Sequence, residues 1–114
     1  ATPGGPETRH LVDAAVLQAL GPGGFLVNIA RGSVVDTQVL IEALEQGRIA
    51  GAGLDVVEGE PDDIPARLTR LENVILTPHI AGRSPEAVQA TIRLVIDNLQ
   101  AHFSGRPVLT PVSG

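Results

Sequence analysis

Three short apolar runs constrain this chain more than anything else in it. They cover residues 25–29, 49–56 and 74–77, and helix-spaced segments lie between them. Runs of that length, rich in Val, Ile and Leu, read as strands, and the near-continuous hydrophobicity of residues 25–29 fits a strand covered on both faces. Strand alternating with helix predicts an α/β fold with a parallel sheet and right-handed crossovers. Each run ends on a candidate reactive group: Arg31 after the first, Glu60 after the second, His79 after the third. In open α/β sheets, ligands sit beyond the carboxyl ends of the strands.

The segments between the runs carry helix signals. Asp13 is suited to cap a helix over residues 14–20, with Val16, Leu17 and Leu20 inward and Gly21-Pro22-Gly23-Gly24 as the stop. Asp36 or Thr37 starts a second helix with Leu40, Ile41 and Leu44 on one face, ended by Gly47. Residues 58–71 are acidic and proline-bearing, and read as irregular chain with room for a short helical turn. Gly51 and Gly53 lie inside the second strand, where missing side chains allow close approach. Ser84 and Pro85 open a final helix, in which Val88, Ile92, Val95, Ile96, Leu99 and Phe103 follow helical spacing. At about 19 residues it rises ~28 Å. Gly105-Arg106-Pro107 ends it, and residues 108–114 are expected to be extended.

Composition excludes several function classes. The chain has 114 residues, 43% hydrophobic and 18% charged, which indicates a folded domain rather than disorder. Net charge is −5 and all eight basic residues are scattered arginines, so there is no basic stripe for nucleic acid. Without cysteine there are no disulfides or thiolate metal sites. The three histidines, His10, His79 and His102, are far apart, and no metal site is expected. No apolar run approaches the roughly 20 residues of a membrane span, and no signal peptide is recognisable. The expected location is cytoplasmic. The chain has no methionine, and Ala1-Thr2-Pro3 reads as the end of a strand, so a C-terminal portion of a longer protein is expected.

Arg31 follows Asn28-Ile29-Ala30 on a glycine turn, and its planar fork suits a carboxylate with a neighbouring carbonyl. The bland alternative is a surface arginine beside a turn. An imidazole is the side chain that changes charge near neutrality, so the residue type at His79 suits proton exchange with an alcohol or ketone. His10 and His102 read as structural, one in a loop and one near a helix end. Glu60 gains interest through His79, because a carboxylate beside an imidazole orients it and favours its protonated form. Glu58 is the local rival. Asp55 ends an apolar strand and needs a partner. A nicotinamide carboxamide and a turn cap are both open to it. Pro3-Gly4-Gly5-Pro6 lacks the spacing of a phosphate loop.

The strings NIARGSVVD, GAGLDVVEGEP and NVILTPHIAG, in that order, closely resemble the C-terminal half of the D-isomer-specific 2-hydroxyacid dehydrogenases. The resemblance runs from about Thr2 to Phe103, and PGGPETRHLV is most similar to glyoxylate/hydroxypyruvate reductases. It implies the C-terminal half of a doubly wound, Rossmann-type parallel sheet, with the long helix returning towards a substrate domain. Residues 1–84 would be the second half of the dinucleotide-binding domain, and 85–114 the returning helix and tail. Arg31 would bind the substrate carboxylate and carbonyl, His79 would be the general acid/base, and Glu60 would hold His79 in place. Thr2, Pro3, Ile29, Ala30, Arg31, Asp55, His79, Ala81 and Gly82 would lie around NAD or NADP.

The implied activity is NAD(P)-dependent reduction of small 2-oxo acids such as glyoxylate or hydroxypyruvate to D-2-hydroxy acids. A homodimer through the cofactor domain is implied as well, with neither nucleic-acid nor membrane partner. The alternative is a dinucleotide-sensing interaction protein of the same fold, resembling corepressors. The glycine-rich dinucleotide fingerprint is absent from these residues, so the 114 residues alone are expected to be inactive.

Overall fold

The computed structural model describes residues 2–112, in two compact units, Ala1–Ala81 and Gly82–Gly114. In the first unit, β1 (Phe25–Asn28), β2 (Gly51–Leu54) and β3 (Val74–Leu76) form a parallel sheet in the order β1-β2-β3. A helix α1 (Ala14–Leu20) precedes β1, α2 (Thr37–Glu45) joins β1 to β2, and a loop with a single helical turn, α3 (Ala66–Thr69), joins β2 to β3. The expected alternation is therefore present, and it brings all three carboxyl ends to one end of the sheet. Thr2 and Pro3 belong to no strand, and Ala1 lies outside the described residues.

Local chemistry sets the helix starts. Asp13 accepts the Ala15 and Val16 N–H groups at 2.9 and 3.1 Å, and Asp36 accepts those of Gln38 and Val39 at 3.1 and 3.2 Å. Each cap satisfies two N–H groups that no helical carbonyl reaches. Asp36, not Thr37, is thus the cap of α2.

The register separates the sheet into two unlike faces. Leu26, Ala52 and Val74 align across the strands, as do Asn28, Leu54 and Leu76. The apolar members of this face join Leu17 of α1, Leu40, Ile41 and Leu44 of α2, and Leu68 of α3 in one core. Ile41 and Leu68 are wholly buried, and side chains of that kind contribute roughly 1.5–3 kcal/mol each. The other face carries Phe25, Val27 and Ile75 with Gly51 and Gly53 between them. Those three apolar side chains are 70%, 70% and 72% exposed. The expectation that the first strand is covered on both faces is thereby corrected, because within this unit the apolar core lies on the Leu26 side of β1. Val16 and Leu20 are also exposed rather than inward, since only Leu17 of α1 enters the core.

The second unit is built on α4 (Pro85–Phe103), capped by Ser84, whose Oγ accepts the Ala87 N–H at 3.2 Å. Its apolar stripe from Val88 to Phe103 is exposed. The tail bends instead of running extended. Asn98 Oδ1 accepts the Leu109 and Thr110 N–H groups at 2.9 and 3.2 Å, and Asn98 Nδ2 donates to Thr110 Oγ1 at 3.0 Å. One polar side chain therefore folds the tail back along the helix. Ser113 and Gly114, part of the expected extended tail, lie outside the described residues.

Candidate active site

At the end of β1, Asn28 is buried and works as a local brace. Its Oδ1 accepts the Ala30 N–H and its Nδ2 donates to the Arg31 carbonyl, both at 3.0 Å. Side-chain bonds of this kind replace the ladder where a strand stops. They present Arg31, which is exposed and, among the described residues, in no ion pair. Its Nη1 donates to the Ala30 carbonyl at 2.6 Å. Gly32 follows because nothing larger fits: a Cβ there would lie 2.3 Å from the carbonyl carbon of Val57. The Arg31 turn thus rests directly on the loop that follows β2.

That loop turns back on itself between Val57 and Glu60. The Glu60 N–H donates to the Val57 carbonyl at 3.3 Å, and Glu60 Oε2 accepts the Val57 N–H at 3.3 Å. Gly59 has φ 87° and packs so tightly on Asp63 that a Cβ would meet its carbonyl oxygen at 2.3 Å. The outcome is a Glu60 carboxylate whose other oxygen, Oε1, lies 3.0 Å from His79 Nδ1.

At the end of β3, His79 has φ 54°, a conformation uncommon outside glycine. Asp55 holds it there. The Asp55 carbonyl accepts the His79 N–H at 3.0 Å, while its carboxylate oxygens accept the Ile80 and Ala81 N–H groups at 2.9 Å each. The Thr77 hydroxyl donates to the same carboxylate at 2.5 Å. Thr77 foremost holds the Asp55 carboxyl below its ordinary value; burial opposes the shift, and the Ala81 and Ile80 N–H groups reinforce it. Of the two roles open to Asp55, the turn cap is visible in these bonds. Oδ2 accepts one N–H and keeps a second acceptor position.

Glu60 and Val57 line two depressions in common. One, of about 460 Å³, is lined by Val57, Glu60, Pro61, Leu76, Thr77 and His79. The other includes Arg31, Gly32, Glu58 and Glu60. Thr2, Ile29 and Ala30, expected around the cofactor, share a smaller hollow of about 190 Å³ with Val27 and Asn28. Pro3 lies in the N-terminal loop, where its carbonyl accepts the Thr8 hydroxyl at 2.8 Å. Ala81 is exposed beyond His79, and Gly82 opens the second unit. Among the described residues, no group of three or more His, Asp or Glu side chains is arranged to hold a metal ion, and no helix is long and apolar enough to cross a membrane.

Glu58 does not compete for His79. It faces His10, whose Nε2 lies 2.9 Å from Glu58 Oε1 and whose Nδ1 lies 3.4 Å from Asp36 Oδ2. The sequence offers little signal for this cluster or for the brace of Thr77 on Asp55. The partners are far apart along the chain, and only the fold brings them together.

The sequence profile of the D-isomer specific 2-hydroxyacid dehydrogenase NAD-binding domain matches residues 1–81. The chain is 51% identical over 107 residues to a hydroxyphenylpyruvate reductase of Plectranthus scutellarioides, covering 94% of this chain and 34% of that protein. It is 53% identical over 106 residues to glyoxylate/hydroxypyruvate reductase A HPR2 of Arabidopsis thaliana, covering 93% and 34%. Among solved structures, an NADPH-dependent glyoxylate/hydroxypyruvate reductase of Sinorhizobium meliloti, in complex with NADP and malonate, superimposes with a TM-score of 0.87. That pair is 50% identical over 98% of this chain and 35% of the other. The chain spans about a third of the length of these relatives. With a Rossmann-type parallel sheet and this degree of identity, the chain belongs to the D-isomer specific 2-hydroxyacid dehydrogenase family.

Proposed function

We propose that this chain is the catalytic half of the nucleotide-binding domain of an NAD(P)-dependent oxidoreductase. The full-length enzyme would reduce small 2-oxo acids such as glyoxylate or hydroxypyruvate to D-2-hydroxy acids. One observation carries the reading: His79 Nδ1 lies 3.0 Å from Glu60 Oε1 at the carboxyl end of the sheet. With Nδ1 donating to the carboxylate, Nε2 is the nitrogen that exchanges a proton with a ligand.

The residues present suit a nicotinamide. Thr2, Ile29 and Ala30 line a hollow at the end of β1, and Asp55 Oδ2 retains an acceptor position for a carboxamide. Bound there, with Pro3 and Ala81 alongside, the nicotinamide would supply the hydride. The protein's own part is binding and proton transfer. Arg31 pairs with the substrate carboxylate and polarises the adjacent carbonyl. His79 Nε2 gives its proton to the carbonyl oxygen as the carbon is reduced, and takes it back in the reverse direction. Glu60 keeps the ring oriented throughout.

We assign residues 1–84 to the second half of the dinucleotide-binding domain and 85–114 to a helix and tail that return towards a substrate domain. The family resemblance also supports a homodimer through the cofactor domain and a cytoplasmic location; sedimentation of the full-length protein checks the first. The corepressor-like alternative has no observation of its own in support. Following the absorbance of the reduced nicotinamide with glyoxylate or hydroxypyruvate, using NADH and NADPH in parallel, tests the proposal. Substrate-dependent oxidation is expected. Dinucleotide binding without turnover of any 2-oxo acid would contradict it.

A further inference from the structure

His10 stands outside the Arg31, Glu60 and His79 trio, yet it is held on more sides than His79. Its ring nitrogens face Glu58 Oε1 at 2.9 Å and Asp36 Oδ2 at 3.4 Å. Its backbone N–H donates to the Ser33 carbonyl at 2.8 Å, just past the Arg31 turn. Glu58 in turn accepts the Thr37 N–H at 3.3 Å through Oε2, and Arg9 Nη2 lies 3.5 Å from Oε1. Burial works against the Glu58 carboxylate, but the His10 and Thr37 bonds outweigh it and hold the carboxyl below its ordinary value. One side chain thus fastens the N-terminal loop and the first turn of α2 to the loop that carries Glu60.

Glu60 itself lacks such an anchor. Its carboxylate touches the Val57 N–H, within its own turn, and His79. Its backbone N–H closes that same turn on Val57. Where the turn sits is therefore decided by what ties it down. The Asp63 N–H donates to the Gly59 carbonyl at 2.7 Å and Val57 packs in the core; on the side of Arg31 and α2, the ties are the contact of Gly32 with Val57 and the Glu58 side chain.

We propose that His10 and Glu58 are positioning residues, which hold the turn of residues 57–60 so that Glu60 stays in bonding distance of His79. The inference rests on the reading of Glu60 and His79 as the orienting and proton-transferring pair. Neither His10 nor Glu58 needs to touch substrate. Both act through Glu60.

The test uses the full-length protein with His10→Asn and Glu58→Gln, each alone and combined with Glu60→Gln. Asparagine tolerates the positive φ of His10 but is too short to reach both carboxylates. Glutamine at 58 keeps an acceptor for the Thr37 N–H and removes the charge. Each single variant is expected to lower kcat about 3–30-fold with KM for the 2-oxo acid nearly unchanged. The loss should vanish in the Glu60→Gln background, because residues acting through one another are not additive. The ring 15N resonances of His79 should move in both single variants towards their positions in Glu60→Gln. Independent, multiplying losses, or unmoved His79 resonances, would overturn the inference. If His10→Asn fails to fold, Glu58→Gln decides. If the unaltered protein turns over no 2-oxo acid, the proposed activity falls, and the His79 resonances still decide the positioning role.

Discussion

His10 and His79 have nearly the same backbone conformation, φ 52° and 54°, and each meets a glutamate from one turn, Glu58 at 2.9 Å and Glu60 at 3.0 Å. What differs is the second ring nitrogen. In His10 it faces Asp36, and the side chain is 32% exposed. In His79 it has no hydrogen-bond partner among the described residues, and the side chain is 53% exposed. A His–carboxylate pair is therefore not in itself a sign of catalysis. A ring with both nitrogens committed ties loops together, whereas a ring with one nitrogen open is able to pass a proton to a ligand.

The contrast breaks most visibly at the open ring. His79→Ala in the full-length protein is expected to lower kcat/KM about 10²–10⁴-fold, far beyond the loss expected for His10→Asn. Arg31→Ala comes next, with KM for the 2-oxo acid raised about 10–100-fold, as expected for lost hydrogen bonds to a charged group; steady-state kinetics separate it from the kcat effect of His79. Acid reaches the same site through Asp55. Its folded pKa is lowered, so the stability it gives is present above the ordinary value of 3.8 and is lost as pH falls through the folded value. Amide exchange at His79, Ile80 and Ala81 should accelerate below that pH before the core around Ile41 opens. Unchanged exchange there would argue against the Asp55 brace. The smallest effect belongs to a residue outside both pairs. Asp13→Ala removes the α1 cap at a cost of about 1 kcal/mol in stability, and denaturant unfolding should show that change with kcat/KM unaltered.

The strand ends were the legible part of this chain. Arg31, Glu60 and His79 follow apolar runs, and β1, β2 and β3 form within residues 25–29, 49–56 and 74–77. The parallel alternation of strand and helix could be read from that pattern, while the choice of Glu60 over Glu58 as the partner of His79 came from the family resemblance and is seen in the 3.0 Å contact. The His10 cluster could not. Glu58 lies 48 residues from His10, and nothing in local spacing links the two. Coverage of the sheet was misread for a related reason. The apolar character of Phe25, Val27 and Ile75 records what a face is suited to pack against, not whether the unit of β1, β2 and β3 itself packs there. The same holds for Val16 and Leu20, where helical spacing could not tell which flank of α1 meets α2. In the tail, a single side chain, Asn98, overrides the extended conformation that residues 108–112 favour on their own.

The most direct test of the central claim sets the two histidines side by side. Oxidation of NADH and NADPH by the full-length protein would be followed with glyoxylate and hydroxypyruvate, comparing His79→Ala, His10→Asn and the unaltered sequence. Near-complete loss in His79→Ala, with a modest loss of kcat in His10→Asn, is the predicted result. Equal activity in His79→Ala and the unaltered protein would contradict it.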